Sequence, residues 1–287
     1  MLKKLLSSVL IYIINKIIFI HNLTPMNKDM KNNITILANL YTIYEEIKEL
    51  ITSRSKSFIS IVSAFLMVFL IRSVLAIMDT IFIIDEYPLQ RIIFILSTSL
   101  MIMGLEIGFT KFIFINIDNK SCSLKSIFNY FHLLGSYVTG LLIFYFCVFI
   151  GTVPGFLYLY LKYSGEFITI IYTSMGDPYF QELISAYFNT NDILLFLFII
   201  IIPTAYISIR LSFWSYYVIE KEISGITSIK NSYYLTQNKE SEIVCYLFII
   251  LLFNLLGLLS IIGICFTIPI TYLFLCKYYK LLILNHL

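Results

Sequence analysis

The chain has 287 residues, 59% of them apolar, 13% charged, with a formal net charge of +3. A soluble domain of ordinary composition is about 45–50% apolar and about 25% charged, so these values describe a membrane protein and exclude a water-soluble enzyme domain. With only 6 proline and 11 glycine residues the chain is no disordered linker, and its weak, scattered charge gives no footprint for nucleic acid.

Residues 5–20 are apolar but short, interrupted by Lys16 and preceded by Lys3 and Lys4. No small-residue cleavage site follows, so a cleaved signal is not expected. Three readings stay open: an interfacial helix, a seventh span, or an extension upstream of a start at Met26 or Met30. Residues 22–40 read as a polar linker. From Tyr41 to Lys56, Ile43, Ile47, Leu50 and Ile51 fall on one helical stripe among charged neighbours. The expectation is an amphipathic helix lying on the membrane surface. Residues 1–57 thus form an interfacial N-terminal segment, and residues 58–285 form the membrane domain.

A membrane helix needs about 20 predominantly apolar residues. Six stretches qualify, at 58–84, 91–117, 131–153, 193–219, 243–260 and 264–283, and no alternating strand pattern competes with them. The expected fold is all-α, with six transmembrane helices plus the N-terminal amphipathic helix. The last two spans are separated only by Ile261, Ile262 and Gly263, which requires an antiparallel hairpin. Pro154, Gly155 and Gly165 break the pattern after the third span. Residues 154–190 are therefore read as an outer-face insertion. Within it, 154–172 is kinked, lies on the surface or re-enters, and a short helix runs from Asp177 to about Phe188.

Lysine and arginine set the orientation. Lys28, Lys31, Lys48, Arg54, Lys56, Lys111, Lys120, Lys125, Arg210, Lys221, Lys230, Lys239, Lys277 and Lys280 fall on one side, against Arg91 and Lys162 on the other. Both termini are expected in the cytoplasm of a cell with this chain in its inner membrane.

The C-terminal third carries Ile202-Pro203-Thr204-Ala205-Tyr206, Arg210-Leu211-Ser212-Phe213 and Tyr216-Tyr217-Val218-Ile219-Glu220. Gly225-Ile226, Ser228, Asn231-Ser232, Gly257, Gly263, Phe266-Thr267-Ile268-Pro269 and Tyr278-Tyr279 follow. This resembles the YciC-like (DUF975-like) superfamily of bacterial integral membrane proteins, and the membrane domain of some glycerophosphodiester phosphodiesterases. The resemblance spans roughly 58–285, most specifically 200–280. It departs where Pro203-Thr204 replaces Pro-Gly and Ser228-Ile229 replaces Ala-Leu. It implies a six-helix bacterial membrane protein and no particular activity. Ser126, Ile127 and Asn129 match Ser228, Ile229 and Asn231 in spacing, each set ahead of a span that a proline, Pro154 or Pro269, follows. This suggests an internal repeat.

Charges within spans are costly, about 2.5–3.5 kcal/mol each on insertion scales. Arg72 and Asp79 share a face of the first span. Glu106 on the second lies about five residues, ~7.5 Å, from Arg72 in depth. These three form either an ion pair that fixes helix register or a polar path for a solute. Lys111 and Arg210, nearer the inner ends, are expected to snorkel to headgroups. Gly104 and Gly108 suit close helix approach. Pro154, Pro203 and Pro269 are expected kinks. Trp214 and Tyr216-Tyr217 read as an interfacial belt, and Glu220-Lys221-Glu222 as a solvated helix end. The 5 cysteines read as small packing residues. His21, His132 and His286 are too dispersed for a metal site. No catalytic motif is present. The expected function is a non-enzymatic interaction or envelope-maintenance role without a cofactor; the alternative is a small transporter or channel. The expected partners are the lipid bilayer and a possible membrane protein.

Overall fold

The computed structural model describes residues 28–81, 88–120, 122–163, 172, 189–259 and 261–286. Helix α1 covers Lys28–Thr52, α2 Ser55–Ile81, α3 Pro88–Ile117, α4 Leu134–Lys162 and α5 Thr190–Arg210. The short helices α6 (Trp214–Lys221) and α7 (Gly225–Leu235) follow, then α8 (Glu240–Leu258) and α9 (Ile261–His286). A 3-10 helix, Leu124–Leu133, joins α3 to α4. There is no strand among the described residues. Six helices are long and apolar enough to cross a membrane, so the protein is an all-α, multi-pass membrane protein. In hydrocarbon only a helix satisfies its own backbone, which is why long apolar runs fold this way.

The bundle is dense at one end and open at the other. The dense end carries most of the lysines and is called the basic end below. Its core joins Ile43, Ile47 and Leu50 of α1 to Phe112 and Ile113 of α3, Phe213, Ile219, and Leu273, Tyr278, Tyr279 and Leu282 of α9. Toward the opposite end Leu142, Phe146 and Phe149 of α4, Phe198 and Ile202 of α5, and Phe248, Leu252 and Leu256 of α8 face outward. Lipid, not water, suits that surface.

Helix α1 departs from expectation. It begins at Lys28, so most of the segment read as a linker is helical. Its stripe packs on protein instead of the membrane surface: Ile43 and Leu50 are 1% and 3% exposed. Asn39 donates to Glu242 at 3.0 Å, and Lys277 pairs with Glu46 at 2.6 Å. Truncating a buried Ile or Leu to Ala costs about 2–5 kcal/mol. Ile43→Ala is therefore expected to lower the melting temperature in detergent, whereas Glu49→Ala on the exposed face leaves it unchanged.

The third span runs further than expected. Helix α4 continues through Pro154 to Lys162, so residues 154–162 prolong the helix without a break, while 164–171 lie outside the described residues. Gly151 and Gly155 explain the close approach of α5. A Cβ on Gly151 would meet Ile207 and Thr204, and one on Gly155 would meet Ile200 and Phe196. This is small-x-x-x-small packing. At the opposite end, Lys162 and the hydroxyls of Tyr158 (3.1 Å) and Tyr163 (2.7 Å) converge on Asp192 at the start of α5. Helix α5 also contains its proline, Pro203. Thr204 donates to the Ile200 carbonyl at 2.7 Å beside it. The fourth span is split: α5 ends at Arg210 and α6 restarts at Trp214.

The α8–α9 hairpin is as tight as the sequence requires. Gly257 faces Thr267, and Thr271 donates to Asn254 at 3.1 Å. Pro269 lies within α9 and Pro154 within α4, while α8 contains no proline. The proline correspondence of the suggested repeat fails, although the 3-10 helix and α7 each precede a span and bury the matched Ser126 and Ser228. Residues 5–20 and the stretch from Asp177 to Phe188 lie outside the described residues.

Candidate functional site

Arg72 and Glu106 meet. The guanidinium Nη1 donates to Glu106 Oε1 at 2.6 Å, so long side chains close the offset in depth. Both groups stay partly exposed, 47% and 33%. Asp79 lies in α2, but its side chain is outside the described residues. Glu106 sits between Gly104 and Gly108, and two residues along a helix turn it about 200° away from them. The glycines accept the 3-10 helix: a Cβ on Gly104 would strike the Phe131 ring, and one on Gly108 the Ile127 carbonyl. Glu106 therefore faces the bundle on the other side.

There it borders a cavity of about 180 Å³. Glu106 and Thr110 come from α3, Tyr137 from α4, Ser215, Tyr216 and Ile219 from α6, and Tyr272 from α9. Glu106 and Thr110 are four apart, on one helical face. Glu106 and five hydroxyl-bearing residues thus line the chamber, and Ile219 is its one lining residue with a purely apolar side chain. Its volume is well below the roughly 300–1,000 Å³ of drug-sized pockets. Phe109 closes on Tyr272 edge-to-face at 5.3 Å, and Trp214 lies 4.9 Å from the Tyr137 ring. Trp214 itself is buried against Gly140, and Tyr216 and Tyr217 pack on the Tyr279 ring, so these rings are held against protein.

Two cations expected at headgroups are occupied within the protein. Lys111 donates to the carbonyls of Ile219 (2.9 Å) and Glu220 (3.3 Å) and to Glu222 Oε1 (2.7 Å). It completes the C-terminal end of α6, where a cation is favoured. The hydrogen bond from Lys111 holds the Glu222 carboxyl below its usual range, so Glu222 is anchored by an ion pair while Lys221 and Glu222 stay exposed, as expected of a solvated helix end. Arg210 is 3% exposed. It donates to Glu240 at 2.8 Å and lies 4.0 Å over the Tyr233 ring. Its carbonyl accepts from Thr236 at 2.8 Å and Ser232 at 3.3 Å.

A second carboxylate, Glu242, is buried near the basic end. It accepts from Asn39 at 3.0 Å and Tyr246 at 3.2 Å, with Lys239 at 3.3 Å. The sequence offers one clue to it, an acid within three residues of a span's start. The cavity's hydroxyl wall had a similar clue in Thr110, one helical turn after Glu106. Tyr137, Ser215 and Tyr272 had none.

No family model matches the chain, and neither a curated protein nor a solved structure does so. Among the described residues no group of three or more His, Cys, Asp or Glu is placed to hold a metal ion.

Proposed function

We propose that this is a non-enzymatic carrier or channel of a bacterial inner membrane, admitting a small polar solute to the cavity beside Glu106. The observation that carries the reading is a cavity among candidate membrane spans lined by Glu106 and five hydroxyl-bearing residues. Polar and ionisable groups at such depth are expensive and mark solute pathways by default. The sequence supplies no nucleophile–base motif to support catalysis. The lysines of the basic end support cytoplasmic termini by the positive-inside rule. Kinship with the YciC-like proteins belongs to the same proposal, on residues 200–280, and adds no activity to it.

Trp214 is the single tryptophan of the chain and packs on the cavity wall at Tyr137, so its emission reports occupancy. Glycerol, a neutral polyol, and methylammonium, a small cation, are the probes for the purified full chain. A saturable change in Trp214 emission is expected with one of them, together with its uptake into proteoliposomes. Thr110→Val and Tyr272→Phe remove hydroxyls without touching the ion pair, and are expected to lose the response while keeping the melting temperature. A linear response that both variants retain, without uptake, overturns the reading.

A second reading is favoured by the closed 2.6 Å contact between Arg72 and Glu106. In it the pair only fixes helix register, and the protein is an interaction or envelope-maintenance component.

A further inference from the structure

Helix α7 is built inside out. At about 100° per residue, Gly225, Ser228, Ser232 and Leu235 share one face, and all four are buried. Ser228 and Ser232 are fully covered, at 0% exposure. The Ser228 hydroxyl donates to the Gly225 carbonyl at 2.7 Å. Ser232 accepts from the Phe213 backbone N–H at 3.1 Å and donates to the Arg210 carbonyl. Ser232 therefore serves the backbone of the α5–α6 bend, and Ser228 the first turn of α7 itself. Gly225 lies so close to Ser136 and Gly140 of α4 that a Cβ would strike their backbone.

The opposite face, about 120° wide, carries Tyr233, Ile226, Lys230, Tyr234 and Thr227, all exposed. Ile226 is 68% exposed, Tyr234 50% and Tyr233 46%. In water a helix buries its large apolar residues, whereas α7 buries only Leu235 of these and exposes Ile226, Tyr233 and Tyr234 while covering two serines. The arrangement matches a bilayer edge, where tyrosines sit at headgroup level and a lysine stem lies along apolar surface with its ammonium at the phosphates. The position agrees: α7 packs beside the first turns of α4 and leads within a few residues into α8, both candidate spans. The sequence of α7, GITSIKNSYYL, holds no acid. Lys230 sits at the centre of the outward face.

We propose that α7 is a membrane-interface helix whose Ile226–Lys230–Tyr233–Tyr234 face docks on lipid, with Lys230 taking the phosphate of an anionic phospholipid. The occupant is a lipid surface because only an environment graded from apolar to anionic suits Ile, Tyr and Lys on one face.

The test adds a tryptophan to the full chain at Ile226, Tyr234 or, as reference, the exposed turn residue Gln237. The chain is held in bilayer discs of phosphatidylcholine with or without phosphatidylglycerol. The buried Trp214 contributes a constant background, measured on the parent. Brominated lipid is expected to quench Ile226→Trp and Tyr234→Trp several-fold more than Gln237→Trp, with aqueous iodide giving the opposite order. Brominated phosphatidylglycerol is expected to quench Ile226→Trp more than brominated phosphatidylcholine does, and Lys230→Gln to abolish that difference. Iodide quenching equal at all three sites would place the face in water and overturn the proposal. Protection from both quenchers at 226 and 234 would mean a second copy or another protein covers it, which also overturns it. An unchanged lipid preference in Lys230→Gln overturns the assignment of Lys230 to the anionic headgroup.

Discussion

Gly108→Ala is expected to destabilise the basic end by about 1–3 kcal/mol or more, the range for overpacking a filled site. The added Cβ would strike the backbone carbonyl of Ile127, and Ile127 is itself 0% exposed. A backbone group held by a packed neighbour cannot swing aside, so the whole 3-10 helix must lift from α3. The gain in helix propensity, about 1 kcal/mol for Gly to Ala, offsets only part of this. Gly104→Ala is the control. Its Cβ would meet the Phe131 ring, a side chain that can rotate, so the cost should be smaller. Thermal unfolding of the two variants in detergent checks the order. Gly108→Ala as stable as wild type, or Gly104→Ala the worse of the two, would show that the 3-10 helix is not seated on these glycines.

The same two glycines show where the sequence is legible and where it is not. Their spacing announces a close approach, and the structure uses it, but for a short 3-10 helix instead of a second span. Spacing specifies that a groove exists and says nothing of what fills it. Gly151 and Gly155 have the same spacing, yet Pro154 between them reads as a break. Helices tolerate proline in a membrane because neighbouring groups satisfy the freed backbone, so α4 continues and the pair becomes the seam with α5. The stripe of α1 is likewise plain from its period, but period alone does not distinguish a lipid surface from the side of α9.

Charges follow the same logic. The meeting of Arg72 with Glu106 could be anticipated because both lie on adjacent antiparallel spans, where depth is set by residue count. Lys111 and Arg210 could not be placed so. Each lies near a span end, where snorkelling is the common outcome, and their acceptors belong to other helices. The carbonyl of Ile219 is 108 positions from Lys111. The six spans themselves were legible because hydrophobic length is a local property. The cavity was not, because its walls come from four helices and only the carboxylate of Glu106 stands out alone.

The Arg72–Glu106 pair then separates the two functional readings, through a cycle of Arg72→Met, Glu106→Gln and the double variant. Each single change leaves one partner unmatched within the bilayer, and a lone charge there costs about 2.5–3.5 kcal/mol on insertion scales. The abundance of Glu106→Gln, with its stranded guanidinium, is expected to fall steeply, and that of Arg72→Met similarly. Removing both partners is often close to neutral, because neither charge is then stranded, so the double variant should recover its abundance. What it recovers besides abundance is decisive. If the pair only fixes register, the double variant behaves as wild type in every assay. If Glu106 is the charged wall of a solute cavity, the double variant folds, yet its Trp214 emission no longer saturates with the probe and uptake stays lost. Single variants as abundant as wild type would sink the premise of both readings, that the two charges are coupled across α2 and α3.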